Sequence, residues 1–178
     1  MGPMARKPAN EAAVRREVEA FVRQEDVLAA RNEVEGRLDR VDFPVYMVTD
    51  DVHGAPEAGL TSREQYLAEM KPFWDSMPKD AKLTHKLAVS VLSDSLAVVT
   101  DDYTMTMGPK RVVARNSAMV VKRGGQWRWK VMAEAGWGGM SPETGAAPAS
   151  SAPPPAAPPP AHGAPAPAPH APAPPPQH

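Results

Sequence analysis

The alternation of apolar and polar residues after Leu83 limits what this chain can fold into more than any other feature of its sequence. A period of two is typical of strands with one buried face. Three tight turns interrupt the alternation, and the Gly124-Gly125 turn is the clearest, because type I′ hairpin turns need a positive φ at both central residues. Strands joined by such turns form an antiparallel meander. We therefore predict four consecutive antiparallel strands, at 83–92, 96–107, 110–123 and 126–135.

Helical patterns precede the meander. Asn10 is the predicted N-cap of a helix, and the pattern that follows weakens over residues 23–26 before it resumes to about Arg40. This predicts two consecutive helices or one bent helix. The next stretch, residues 43–49, is β-branched and aromatic and predicts a strand. A turn follows over 50–60, where a short return strand is a further option. The first helix is expected to bury one apolar face, made of Val14, Val18, Phe21 and Val22.

A further helix is expected after residue 60. Thr61 and Glu64 have the spacing of a capping box, which predicts a helix from there to about Met70. Pro72 and Pro78 predict that this helix stops or kinks. The order of helices, strand, helix and four-strand meander predicts an α+β domain, with the helices packed on one face of a curved, mainly antiparallel sheet.

The prolines mark the end of this domain. Residues 141–178 hold 15 of the 22 prolines and one charged residue, Glu143. Each proline inside a helix costs about 3 kcal/mol, and the segment is too poor in large apolar residues to form a core. We predict a flexible lead at 1–9, a single domain at 10–140 and a disordered Pro/Ala-rich tail at 141–178. The tail is either a weak polyproline ligand or an inert spacer.

Charge and cysteine content exclude several classes of function. The first 140 residues carry 20 basic and 20 acidic side chains, which argues against nucleic-acid or membrane partners. The absence of cysteine excludes disulfides, thiolate metal sites and a cysteine nucleophile. Neither a signal peptide nor an apolar run long enough to cross a membrane is recognisable. We therefore expect a cytoplasmic protein.

The register of the first hairpin of the meander decides which polar side chains face the helices. If Leu92 pairs with Leu96 across a three-residue turn, His85 lies opposite Tyr103 and Asp101 shares their inward face. A two-residue turn would shift the register by one residue. Histidine titrates near neutrality and suits acid/base chemistry. The alternatives are that His85 bonds to backbone or water and that Asp101 lies in a solvated bulge.

The last hairpin is expected to add an amide to the same face. Pairing Arg123 with Gln126 places Asn116 opposite Ala133 on an otherwise apolar surface. Asn116 is therefore a candidate for orienting a ligand carbonyl. The alternative is that it satisfies backbone groups where the sheet bends. Polar groups that converge in an apolar pocket are the usual sign of a binding site.

At this point the chain resembles the nuclear-transport-factor-two-like superfamily, which includes SnoaL-like polyketide cyclases, ketosteroid isomerases and scytalone dehydratase. The resemblance spans about residues 11–137 and rests on the strand 43–49 with the following helix, on the 83–106 hairpin, and on the closing stretch Lys122–Trp129. The stretches FPVYMVTDD and KVMAEAGWG resemble an uncharacterised bacterial subgroup.

The resemblance implies a cone-shaped cavity between the helices and the curved sheet, used for a small apolar or carbonyl-bearing ligand. It also implies a homodimer formed through the outer sheet face. In isomerase-type members an inward Asp abstracts a proton while a Tyr stabilises the oxyanion, and Asp101 and Tyr103 lie on a strand of the right type. The first helix departs from this pattern because its inward residues are all apolar.

The leading hypothesis is a small-molecule-binding domain whose catalytic status is open, with no cofactor and no metal site. If it is an enzyme, we expect isomerisation, cyclisation or dehydration of an apolar carbonyl compound by proton transfer. The rival is a non-catalytic interaction module that uses the outer sheet face and the tail. Trp74 and Trp129 are ligand stackers or core aromatics. The catalytic candidates are His85 and Asp101, and the ligand-binding candidates are Tyr46, Tyr103, Asn116, Trp74 and Trp129.

Overall fold

A computed structural model describes residues 6–138 of the chain. The predicted tail at 141–178 and its polyproline role lie outside the described residues. Residues 6–9 form no regular structure before the first helix. The elements are α1 (Glu11–Ala30), α2 (Val34–Leu38), β1 (Val41–Asp50), β2 (Pro56–Thr61), α3 (Arg63–Ser76), β3 (Lys82–Ser93), β4 (Leu96–Met107), β5 (Lys110–Arg123) and β6 (Gln126–Glu134).

The six strands form one curved sheet in the order β2-β1-β6-β5-β4-β3. Every neighbouring pair is antiparallel except β1 and β6, which run parallel. The predicted α+β class, the four-strand meander and the mainly antiparallel sheet are confirmed. The return strand after β1 also forms, as β2. Within residues 6–138, every helix is too short or too polar to span a bilayer.

Side-chain caps define the N-termini of α1 and α3. Asn10 caps α1 as predicted, because its side chain accepts a hydrogen bond from the Ala13 amide at 3.0 Å. The cap of α3 is Ser62 and not Thr61, since Ser62 and Gln65 make the reciprocal bonds of a capping box. α1 and α2 are separate helices, and the chain turns between them at Asn32, which has a φ of 53°.

The sequence predicts a stop or kink where Pro72 and Pro78 bracket the chain, and α3 runs past Pro72 and ends at Ser76, just before Pro78. A proline inside a helix leaves the carbonyl of the residue four positions earlier, here Ala68, without its usual donor. Ala68 and Pro72 are both exposed, so water can satisfy that carbonyl. Continuing the helix brings Phe73 and Trp74 into the core that surrounds β1, and this burial offsets the lost bond.

The predicted register of β3 and β4 is confirmed around His85, which lies opposite Tyr103. The turn itself differs. Ser93 pairs with Leu96, and Leu92 is the extra residue of a bulge. The bulge compensates for the shorter turn, so the inward face is kept.

The predicted register of β5 and β6 is wrong beyond Trp129. A bulge at Lys130 shifts the pairing, so that Asn116 lies opposite Glu134 and not opposite Ala133. A shift of one residue exchanges the two faces of a strand. Consequently Met132 and Glu134 point toward the helices, where Val131 and Ala133 were expected.

The core has two parts that meet at Trp129. The first is the apolar face of α1 against β3, β4, β5 and β6. The second joins α2, α3 and β1. Each large side chain removed from water in these clusters contributes about 1.5–3 kcal/mol. The buried residues are Val14, Val18, Phe21, Val22, Val89, Ala97, Val99, Val120 and Trp127 in the first part, and Leu38, Val41, Val45, Tyr66 and Trp74 in the second.

Candidate functional site

A cavity of about 570 Å³ lies between the inner face of the sheet and α2 and α3. This volume is within the usual range for small-molecule sites. Its wall combines apolar and polar side chains. Asn116 and Glu134 enter it side by side from β5 and β6, and the carboxyl-bearing residues Glu57 of β2 and Glu69 of α3 also line it. The apolar lining includes Val41, Met47, Tyr66, Met70, Ala118, Trp129, Met132 and Trp137.

Glu134 is a partly buried carboxyl in this wall. The hydroxyl of Tyr103 donates a hydrogen bond to its Oε1 atom at 2.5 Å. Burial raises the pKa of Glu134, and the hydrogen bonds from Tyr103 and Trp137 oppose the rise, while the charge of Asp101 adds to it. Because the net shift is upward, Glu134 gains a proton more readily than an exposed glutamate and can serve as either donor or acceptor.

His85 lies between two carboxylates. Its Nδ1 atom is 2.5 Å from Oδ2 of Asp101, and its Nε2 atom is 3.0 Å from Oδ2 of Asp26 on α1. Both nitrogens can donate only when the imidazole is protonated. Burial lowers the pKa of His85, but the hydrogen bond to Asp101 and the charges of Asp26 and Asp101 outweigh it and raise the pKa overall.

A second charged network lies at the side of the cavity. The Glu25 carboxylate binds Arg37 at 2.6 Å and Arg40 at 3.2 Å. The guanidinium of Arg37 also stacks 4.0 Å above the ring of Trp74. One carboxylate faces two guanidinium groups here, so the network leaves a net positive charge beside the cavity.

The structure separates the predicted site residues into distinct groups. Asn116 and Trp129 line the cavity, and Tyr103 reaches it through its bond to Glu134. The catalytic candidates His85 and Asp101 pair with each other outside the cavity lining, and their catalytic roles stay predictions.

Two aromatic candidates lie elsewhere. Tyr46, a predicted ligand-binding residue, is 41% exposed and pairs with Leu60 and Val131 on the outer face of the sheet, away from the cavity lining. Trp74 is buried in the core and contacts Tyr66 edge-on, with ring centroids 6.1 Å apart. In the described range 6–138, no group of three His, Cys, Asp or Glu side chains is arranged to hold a metal ion.

Comparisons with known proteins bear on the fold. No protein-family model matches the chain, and no curated protein is similar to it. Among solved structures, a proposed scytalone dehydratase from Novosphingobium aromaticivorans superposes with a TM-score of 0.56 at 13% identity, over 69% of this chain and 83% of that one. An NTF2-like protein of unknown function from Shewanella oneidensis gives 0.53 at 13%, over 67% and 96%. The chain has the nuclear-transport-factor-two-like fold.

A third structure with this fold, a proposed calcium/calmodulin-dependent protein kinase II association domain from Xanthomonas campestris, gives a TM-score of 0.54 at 22% identity, over 79% of this chain and 99% of that one. Identities this low establish the nuclear-transport-factor-two-like fold and leave activity open. The resemblance seen in the sequence is therefore confirmed as a matter of fold.

Sequence reasoning missed two residues of the site in this nuclear-transport-factor-two-like fold. Asp26 continues the i, i+4 series of Val18 and Val22 on the inward face of α1, and that spacing is the signal that identifies it. Glu134 has no such signal, because its inward position depends on the bulge at Lys130.

Proposed function

We propose that this chain binds a small, apolar, carbonyl-bearing molecule in the cavity and moves a proton on it without a cofactor, as an isomerisation, cyclisation or dehydration requires. One observation carries the proposal: Glu134, a carboxyl whose pKa is raised by burial, lies beside the Asn116 amide in the wall of the cavity. An acid/base group is most effective when its pKa approaches the working pH.

The proposed step uses each polar group once. The Asn116 side-chain NH₂ donates to the ligand carbonyl oxygen. The ionised Glu134 carboxylate takes a proton from the adjacent carbon, and the C–H electron pair forms the C=C bond of an enolate whose oxygen charge Asn116 stabilises. Tyr103 fixes the orientation of the Glu134 carboxyl through its bond to Oε1. Returning the proton to another carbon completes an isomerisation.

In this proposal His85 and Asp101 act through Glu134 and do not touch the ligand. Asp101 is the cross-strand neighbour of Asn116, and its charge contributes to the raised pKa of Glu134. His85 holds the Asp101 carboxylate in place through the 2.5 Å contact. The name of the Novosphingobium structure, a proposed dehydratase, also supports proton-transfer chemistry on this fold.

Hydrogen–deuterium exchange of 2-tetralone tests the proposal without knowledge of the natural substrate. In D₂O the protein should accelerate loss of the α-proton NMR signals over buffer, and treatment with a chelator should leave the rate unchanged. The denatured protein is the control. Exchange at the buffer rate, or activity that disappears with the chelator and returns with metal, would contradict cofactor-free proton transfer in this cavity.

A second proposal concerns the outer sheet face, which we infer pairs with another copy of the chain. Leu60 is 65% exposed and lies directly opposite Tyr46, which is 41% exposed. Large apolar side chains grouped on a sheet face mark an interaction surface.

Light scattering after gel filtration should give the mass of a dimer for the native protein. Leu60→Arg and Tyr46→Arg should each give a monomer, because they place a cation in the contact. Val52→Arg, at an 84% exposed turn position, is the matched control and should stay dimeric. A native monomer would exclude this interface.

A further inference from the structure

The turn after β6 is tied closely to the end of β1. Three consecutive amides of this turn donate hydrogen bonds: Gly136 to Oδ1 of Asp50 at 2.6 Å, Trp137 to Oγ1 of Thr49 at 3.0 Å, and Gly138 to the Asp50 carbonyl at 2.8 Å. The backbone on both sides of Trp137 is therefore fixed against β1.

Both glycines of this turn are needed for the close approach. Gly136 has a φ of 84°, in the left-handed region that favours glycine. A Cβ atom on Gly138 would lie 2.8 Å from the carbonyl carbon and oxygen of Asp50, where no side chain fits. Any larger residue at position 138 must displace the turn.

The indole held by this turn forms part of the cavity wall. It contacts Phe73 of α3 edge-on, with ring centroids 5.1 Å apart and planes at 76°. Its hydrogen bond to Glu134 opposes the rise that burial causes in the pKa of that carboxyl. Trp137 thus connects the sheet, α3 and the proposed acid/base group.

We propose that Trp137 is the residue that limits the size of the ligand and so determines specificity. The inference rests on the proposed ligand cavity but not on its chemistry. An indole whose backbone is fixed by three hydrogen bonds, and whose ring is packed on Phe73, is a rigid wall. A ligand must fit inside this wall, and removing the indole extends the cavity by the space of two fused rings.

Two fluorescent methyl ketones that differ only in ring number test the proposal: bicyclic 2-acetylnaphthalene and tetracyclic 1-acetylpyrene. Native protein should prefer the bicyclic probe. Trp137→Ala should bind the tetracyclic probe about tenfold more tightly and the bicyclic one about tenfold more weakly, which is a change of about a hundredfold in the affinity ratio. Gly138→Ala, which displaces the turn and keeps the indole, should shift the ratio in the same direction. Trp137→Phe, which keeps a ring at this position, should leave the preference for the bicyclic probe in place.

The ratio of the two affinities distinguishes a size-limiting role of Trp137 from a merely structural one, because a general loss of stability weakens the binding of both probes alike. An unchanged ratio in Trp137→Ala, or no binding of either probe to the native protein and to Trp137→Ala, would overturn the proposal. Failure of the proposed function has a different result, namely a native protein that shows the size preference but does not exchange the protons of 2-tetralone.

Discussion

Replacing Glu134 with glutamine should lower the rate of 2-tetralone exchange by about a hundredfold to ten-thousandfold, the usual contribution of a positioned acid/base group. The amide keeps the size of the side chain and its contact with Tyr103 but cannot accept the proton. Binding of 2-tetralone should persist, because the apolar wall is unchanged. The exchange rate by NMR and the affinity by calorimetry measure the two effects separately.

Asp102→Asn is the matched control, since Asp102 lies on the same sheet but faces outward and pairs with Arg115. It should exchange 2-tetralone at close to the native rate. For the native protein the rate should rise with pH as Glu134 loses its proton, at a pH above the ordinary glutamate pKa because burial raises its pKa. A Glu134→Gln variant with the native rate would remove Glu134 from the mechanism.

Replacing His85 with alanine should lower the free energy of unfolding by about 3–5 kcal/mol, the usual cost of leaving a buried charge without its partner. Asp101 is 3% exposed, and its Oδ1 atom has no hydrogen-bond partner among the described residues. His85 is therefore the group that compensates this carboxylate. Urea unfolding of the native protein, His85→Ala, Asp101→Ala and the double variant measures the coupling energy between His85 and Asp101.

The double variant should be more stable than His85→Ala alone, because it removes the uncompensated charge together with its partner. His53→Ala, in the exposed turn after β1, is the control and should change stability by less than about 0.5 kcal/mol. A His85→Ala variant as stable as the native protein would show that Asp101 finds another partner.

The sign of the pH dependence follows from the raised pKa of His85. The folded state favours the protonated imidazole, so this stabilisation is fully present below the ordinary histidine pKa of about 6.5. It is lost as the pH rises through the higher pKa of the folded state. The difference in stability between the native protein and His85→Ala should therefore shrink as the pH is raised from 6 to 9.

A feature of the site can be predicted from the sequence when residues close together in the chain determine it. The pairing of His85 with Tyr103 could be predicted because a short turn and an alternating pattern set the register locally. The position of Glu134 could not. The ammonium of the bulged residue Lys130 binds the carbonyl oxygens of Asp42 and Pro44, on a strand more than 80 residues earlier in the chain.

The sequence by itself determined the start of α1, the four-strand meander and the α+β class, because periodicity, capping and tight turns act between residues close together in the chain. The tertiary structure decided which carboxyl groups reach the site. The parallel pairing of β1 with β6 accompanies the bulge that turns Glu134 inward, and packing of α1 on the sheet brings Asp26 to His85. Both depend on contacts between distant segments. A one-residue shift that exchanges the faces of a strand is stabilised only when those segments are packed together.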